Sequence, residues 1–139
     1  MPTATRETVL IQALEMAVTG EGDLEAIYTE DVVGWSPNLS VSSRAELAEE
    51  LSDRHDALSN IVISFDAVYI IGDHAIAEWR VGADHTGALV VDGEEAIPAS
   101  GRRIVLAGAT FAEFRGDQIC AFRNYFDDAA LLEQLFFGD

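Results

Sequence analysis

The spacing of apolar residues changes twice along the chain. Between residues 5 and 19, Val9, Leu10, Ala13, Leu14 and Ala17 recur at intervals of three and four, the period of a helix with one buried face. Thr3 or Thr5 can cap its start, and Gly20 can end it. Residues 23–28 read as a short second helix with Leu24, Ile27 and Tyr28 inward, and residues 31–37 as a short strand stopped by Pro37. Ser43-Arg-Ala-Glu46 has the form of a capping box, in which the serine side chain meets the third backbone N–H and the glutamate reaches back. The helix that it opens is expected to run to about Leu58. Leu47, Leu51 and Leu58 form its apolar stripe, and His55 falls on that stripe as a packed histidine.

From Ile61 onward the period becomes that of strands. Residues 61–71 are rich in β-branched and aromatic side chains, Gly72-Asp73 is a two-residue hairpin signal, and residues 74–86 form the return strand. Residues 87–101 read as a long connection containing Asp92-Gly93. A strand over 102–115, a second Gly-Asp turn at Gly116-Asp117 and a last strand over 118–126 follow. Leu131, Leu132, Leu135 and Phe136 supply the apolar face of a short terminal helix. Helices first and long antiparallel strands afterwards predict an α+β domain, with the helices covering one sheet face. A strongly bent sheet wrapped around helices makes a cone with a cavity. No linker or low-complexity segment interrupts the pattern, so residues 1–139 are expected to form a single domain.

Alternation along the last strand places Ile119, Ala121, Arg123, Tyr125 and Asp127 on one face, and Cys120, Phe122, Asn124 and Phe126 on the other. The first face begins apolar and ends in a cation, a phenol and a carboxylate, as expected of a pocket wall. The second, with Cys120, Phe122 and Phe126, is too apolar for open water and predicts a homodimer through that side of the sheet.

Charge narrows the function classes. The 139 residues hold 8 basic and 25 acidic side chains, a formal net charge of −17, and every basic residue is arginine. Nucleic-acid binding is not expected on this count, because phosphate recognition needs clustered cations. An acidic surface that keeps the protein soluble and an adaptation to high salt, where self-repulsion is screened, both fit the composition. No apolar run reaches the length of a membrane span, and no basic-then-apolar signal opens the chain, so a cytoplasmic protein is expected. The lone cysteine, Cys120, cannot form an internal disulfide and belongs to no metal motif.

A family resemblance rests on elements in a set order. They are Trp79-Arg-Val-Gly-Ala-Asp-His85-Thr-Gly87, Ile97-Pro98-Ala-Ser-Gly101-Arg102, Gly108, Gly116-Asp117, Arg123-Asn-Tyr125-Phe-Asp127 and Gln134-Leu135. Together they resemble the SnoaL-like proteins, the polyketide-cyclase and ester-cyclase branch of the nuclear-transport-factor-like superfamily. Ser100 stands where the family's loop usually has threonine. The resemblance implies a cone-shaped, mostly antiparallel curved sheet around N-terminal helices, a deep apolar pocket and often a dimer. It implies aldol-type ring closure on a hydrophobic carbonyl or ester compound without metal or cofactor. An acidic residue near the end of the last long strand serves there as general acid and base, and Asp127 matches it.

The residues admit that chemistry. A carboxylate in an apolar pocket can take a proton from a carbon beside a carbonyl and return one to the new alkoxide, while a donor stabilises the developing charge. Asp127 is the candidate acid/base and His85 the candidate donor, with Arg123, Tyr125 and Trp79 expected to contact substrate. Plainer roles stand beside these. Asp127 precedes Asp128-Ala-Ala-Leu-Leu and can cap the terminal helix. Arg123 can pair with Asp127 or Glu78, which would make Asp127 a poor base. His85 can simply fix the turn after its strand, and Trp79 can be core. Two further classes stay open. One is an epoxide-hydrolase-like enzyme built on Arg123, Asp127 and Asp84, although Asp84 has the opposite strand parity to His85. The other is a small-molecule binder with no chemistry, favoured if Asp127 serves only as a cap.

Overall fold

The structure is a computed structural model and describes residues 5–37, 39–52, 58–87 and 98–137. The chain runs through α1 (Arg6–Thr19), α2 (Leu24–Ile27), β1 (Tyr28–Ser36), β2 (Leu39–Val41), α3 (Arg44–Ser52), β3 (Leu58–Ile71), β4 (His74–His85), β5 (Arg103–Arg115), β6 (Gln118–Phe126) and α4 (Asp128–Phe137). The six strands form one sheet in the order β2-β1-β6-β5-β4-β3. Four neighbouring pairs are antiparallel, and β1 lies parallel to β6. The architecture is α+β with a curved, mostly antiparallel sheet, as the element order predicts. His55 and Asp92-Gly93 lie outside the described residues.

Local chemistry sets the element ends. Thr5 caps α1 by accepting from the Thr8 N–H at 3.1 Å, and Gly20 closes it in the left-handed region at φ 74°. Ser43 accepts from the Glu46 N–H at 3.1 Å, whereas the Glu46 carboxylate reaches back one residue further than expected, to the backbone N–H and hydroxyl of Ser42 at 3.2 Å each. The helix after this box is shorter than its apolar period implies. It ends at Ser52, and Leu58 opens β3 instead of closing α3. Both Gly-Asp turns are two-residue hairpin loops, with Ile71 opposite His74 and Arg115 opposite Gln118. Gly72 and Gly116 take φ of 59° and 65°, the positive value that the first central position of such a turn requires.

One arginine ties the two turns together. The Arg6 guanidinium donates to the Gly72 carbonyl at 2.6 Å, to Asp73 Oδ1 at 2.9 Å and to the Gly116 carbonyl at 3.2 Å. It also sits 5.3 Å from the centre of the Phe114 ring. The start of α1 is thereby anchored over both hairpins, and its apolar stripe (Val9, Leu10, Ala13, Leu14, Met16) lies buried on the sheet's inner face.

The inner face of β4 carries Ala75, Ala77, Trp79, Val81, Ala83 and His85, all buried. Opposite them β5 turns in Ile104, Thr110, Ala112 and Phe114. On β6 the parity differs from simple alternation. Phe114 faces Ile119 and Glu113 faces Ala121, so Cys120 has no counterpart on β5 and is the extra residue of a β-bulge. One inserted residue moves every later side chain to the opposite face. Ile119 therefore points inward, but so do Phe122, Asn124 and Phe126, while Arg123 and Tyr125 point outward. This inverts the face assignment expected from alternation. Phe122 and Phe126 belong to the core side, and the dimer surface expected through Cys120, Phe122 and Phe126 is not a surface.

The outward face has an aromatic cluster of its own. Trp35 and Tyr125 lie with ring centres 5.3 Å apart, Phe111 meets Tyr125 edge-on at 5.8 Å, and the Arg123 guanidinium lies 5.8 Å over Phe111. Trp35, Phe111 and Tyr125 are 42%, 39% and 44% exposed, and Val33 beside them is 56% exposed.

Candidate functional site

A cavity lies between the N-terminal helices and the inner face of the sheet. Leu10, Ala13, Leu14 and Ala17 of α1 and Leu47 and Leu51 of α3 cover it from one side. Tyr28 and Ser36 of β1, Leu39 of β2, Thr110 and Ala112 of β5, and Ile119, Phe122, Asn124 and Phe126 of β6 form the other wall. The space open to the centre of a water-sized sphere is about 40 Å³, well above the roughly 10–15 Å³ that one water requires. All these lining side chains are uncharged.

The polar end of the cavity is held by a buried chain of hydrogen bonds. The Trp79 indole Nε1–H donates to Thr110 Oγ1 at 2.9 Å, and the Thr110 hydroxyl donates to Asn124 Oδ1 at 2.7 Å. Trp79 and Thr110 are 7% and 3% exposed. The indole lies behind the cavity wall, with its ring 6.4 Å from that of Phe126. Trp79, expected from the sequence to contact substrate, lies one hydrogen bond behind the lining.

The other expected site residues are dispersed. Arg123 and Tyr125 are exposed in the outer aromatic cluster and do not line this cavity, a correction that follows from the bulge at Cys120. Asp127 is exposed at the start of α4. Its Oδ1 accepts from the Ala130 N–H at 3.0 Å and its carbonyl from the Leu131 N–H at 3.2 Å, which is N-cap geometry. It follows Phe126, the last cavity-lining residue of β6. His85 is fully buried at the end of β4, on the Trp79 face as expected. Ser100 meets its Nδ1 through the hydroxyl at 2.9 Å and the backbone N–H at 3.3 Å. The His85 backbone bonds Arg102 and Gly101, so the residue clamps the Ser100–Arg102 segment to β4. A backbone N–H directed at Nδ1 makes that nitrogen an acceptor. His85 and Asp127 are not brought together at the cavity described above.

Asp84 faces outward, as its parity predicts. Its carboxylate accepts from Asn60 at 2.7 Å and Arg103 at 3.2 Å, and these two partners, Asn60 first, hold its pKa below the ordinary carboxylate value. Arg123, Asp127 and Asp84 therefore do not surround a common water site. Among the described residues, no group of three or more His, Cys, Asp or Glu has the arrangement of a metal site, and no helix is long and apolar enough to cross a membrane.

A family model described as the SnoaL-like domain matches residues 16–122. The chain belongs to the SnoaL-like domain family. A search of curated proteins finds no match. Among solved structures, the SnoaL-like chain is similar to a candidate SnoaL-like polyketide cyclase from Jannaschia sp. CCS1, with 15% identity, 97% of this chain and 96% of the other covered, and a TM-score of 0.73. It is also similar to a protein of ketosteroid isomerase-like fold from Catenulispora acidiphila DSM 44928, solved in complex with trimethylamine, at 16% identity, 91% and 90% coverage and a TM-score of 0.65. An LEH-like epoxide hydrolase from M. tuberculosis aligns at 14% identity, 96% and 90% coverage and a TM-score of 0.66. At these identities the likeness establishes the fold of the SnoaL-like domain and leaves its activity to the site.

Thr110 and Asn124 are the residues that the sequence reading missed. A signal for Asn124 was present, in that it shares its parity with Phe122 and Phe126, which are more apolar than Arg123 and Asp127; nothing in the sequence singles out Thr110.

Proposed function

We propose that this SnoaL-like domain binds a small, uncharged, largely apolar molecule in the cavity beneath α1 and α3, with Asn124 as its polar contact. The observation that carries this reading is the lining: a largely apolar wall, no charged side chain, and an amide positioned by a buried hydrogen-bond chain. Few polar groups set precisely in an apolar wall are what fix a small ligand's orientation. Methyl-resolved NMR with a five-membered-ring probe such as cyclopentanone tests it. Shifts are expected to concentrate on Leu10, Leu14, Leu47 and Leu51, and Ala17→Leu, which adds bulk to the lining, is expected to weaken them. An absence of shifts at millimolar probe, or shifts spread over the outer sheet face, would remove the reading.

A second reading, acid–base catalysis of the aldol or isomerase type, is favoured by one observation: Asp127 follows the last cavity-lining residue of β6. Asp127→Asn separates this role from capping, because asparagine caps as well as aspartate. A general acid/base would lose roughly 10²–10⁴-fold in turnover in a variant that melts like the parent. A residue that only caps would show unchanged turnover in Asp127→Asn, and Asp127→Ala would cost about 1 kcal/mol of stability. Residual full activity of folded Asp127→Asn on any turned-over carbonyl compound ends the catalytic assignment.

We further propose a homodimer through the outward sheet face. The support is the exposed cluster of Trp35, Phe111 and Tyr125 with Val33, since contiguous exposed rings mark association surfaces. Light scattering at micromolar concentration is expected to give twice the chain mass, and Tyr125→Glu the single mass. A parent protein that scatters as a monomer contradicts the assignment.

A further inference from the structure

We infer that Thr110 is a specificity-determining residue that fixes the polarity of the cavity, so that it selects ligands presenting a hydrogen-bond acceptor over ligands presenting a donor. This rests on the proposed use of the cavity for a small neutral molecule and adds the rule by which such molecules are sorted.

The argument follows the protons. An indole nitrogen can only donate, so Trp79 Nε1–H commits the Thr110 oxygen to accepting, at 2.9 Å. The Thr110 hydroxyl then has one proton to give, and it goes to Asn124 Oδ1 at 2.7 Å. An amide whose oxygen receives that proton presents its Nδ2 donor on the other side. The first link has one allowed direction, because the indole nitrogen has no acceptor lone pair, and the second follows from where the hydroxyl proton goes: the structure gives it Asn124 Oδ1 as its acceptor. The orientation of the amide is thus set by two buried side chains, Thr110 in the wall and Trp79 behind it. Tyr28 and Ser36 also line the cavity. The preference is that of the Asn124 position in the wall. A ligand donor placed at Asn124 meets another donor, while a ketone, aldehyde, ester or ether oxygen placed there completes a hydrogen bond within a largely apolar wall. An unmatched polar group in such a site is costly, and this gives discrimination.

The experiment compares three five-membered rings of similar size by calorimetric or NMR titration. Cyclopentanone accepts, pyrrole donates through N–H, and cyclopentane does neither. The parent protein is expected to bind cyclopentanone about tenfold more tightly than pyrrole, an amount typical of one matched against one mismatched neutral hydrogen bond. Thr110→Ser keeps the hydroxyl and is expected to keep that ratio. Thr110→Val removes it and frees the amide to turn, so the ratio is expected to fall to near one. Asn124→Leu is expected to bind all three rings without preference. If Thr110→Val does not fold, Thr110→Ala, which also lacks the hydroxyl, takes its place, and an unchanged ratio there overturns the inference equally. Equal binding of the three rings by the parent, or a ratio unchanged in a folded Thr110→Val protein, overturns the inference and leaves the cavity reading standing. Failure of all three rings to bind overturns both.

Discussion

Phe122→Glu is expected to leave no natively folded protein. Phe122 is 7% exposed, lines the cavity, and its ring centre lies 5.7 Å from that of Tyr28. Truncating a buried phenylalanine typically costs about 3–5 kcal/mol. An unpaired carboxylate at the same place adds a desolvation penalty of several kcal/mol, since no cation lines that wall. The sum is comparable with the whole stability of a domain, roughly 5–15 kcal/mol. Circular dichroism in the near ultraviolet should be lost and the protein should be aggregated or protease-sensitive. Simple alternation along β6 leads to the opposite forecast, a folded protein whose only defect is a lost dimer. That outcome belongs to Tyr125→Glu on the outward face, where the charge stays in water. A Phe122→Glu protein melting within a few degrees of the parent would overturn the inward assignment of Phe122, and with it the bulge at Cys120.

Gly108→Ala is expected to destabilise, against the usual sign of a glycine-to-alanine change in a strand. Alanine lowers the entropy of the unfolded chain and ordinarily stabilises by about 0.4–1 kcal/mol where the native backbone accepts it. At Gly108 an added Cβ would stand 2.5 Å from Trp79 Cζ2, 2.7 Å from Trp79 Cη2 and 2.5 Å from the Tyr125 carbonyl oxygen. Neither neighbour is free to give. The indole is held by its bond to Thr110 and packs near Phe126, and the carbonyl belongs to the strand paired with β5. Overpacking of this kind costs about 1–3 kcal/mol, which for a chain of this size lowers the melting temperature by roughly 3–10 °C. The indole must also move, so Trp79 emission should shift when measured in a Trp35→Phe background. A melting temperature equal to or above that of the parent would show that the ring yields at no cost and that the wall behind Asn124 is softer than its contacts imply.

Local signals in this chain are those whose cause lies within a few residues. Thr5 and Gly20 end α1 through contacts with their own turn. The two Gly-Asp turns close hairpins because one residue in each has a positive φ. Helical and strand periods report which side of each element avoids water, and from these the α+β class, the antiparallel pairs and the outward turn of Asp84 all follow. The family motifs, spread over most of the chain, agree with that fold.

What the sequence could not show is where the alternation breaks. A bulge is the product of pairing: Cys120 is an extra residue only because Phe114 and Glu113 of β5 fix Ile119 and Ala121 on either side of it. Alternation read through that point carries Arg123, Tyr125 and Asp127 into the pocket and sends Phe122, Asn124 and Phe126 out, and every site expectation inherits the error. The length of α3 has the same origin, since Leu58 keeps helical spacing with Leu51 but pairs with His85 as a strand residue. The chain from Trp79 through Thr110 to Asn124 spans three strands and exists only once their register is set. By itself the sequence determined which residues avoid water and where the chain turns, because those preferences are local. Which of them share a wall, and hence that an amide and not a carboxylate forms the polar end of this cavity, was decided by strand register, a long-range pairing that tertiary structure alone supplies.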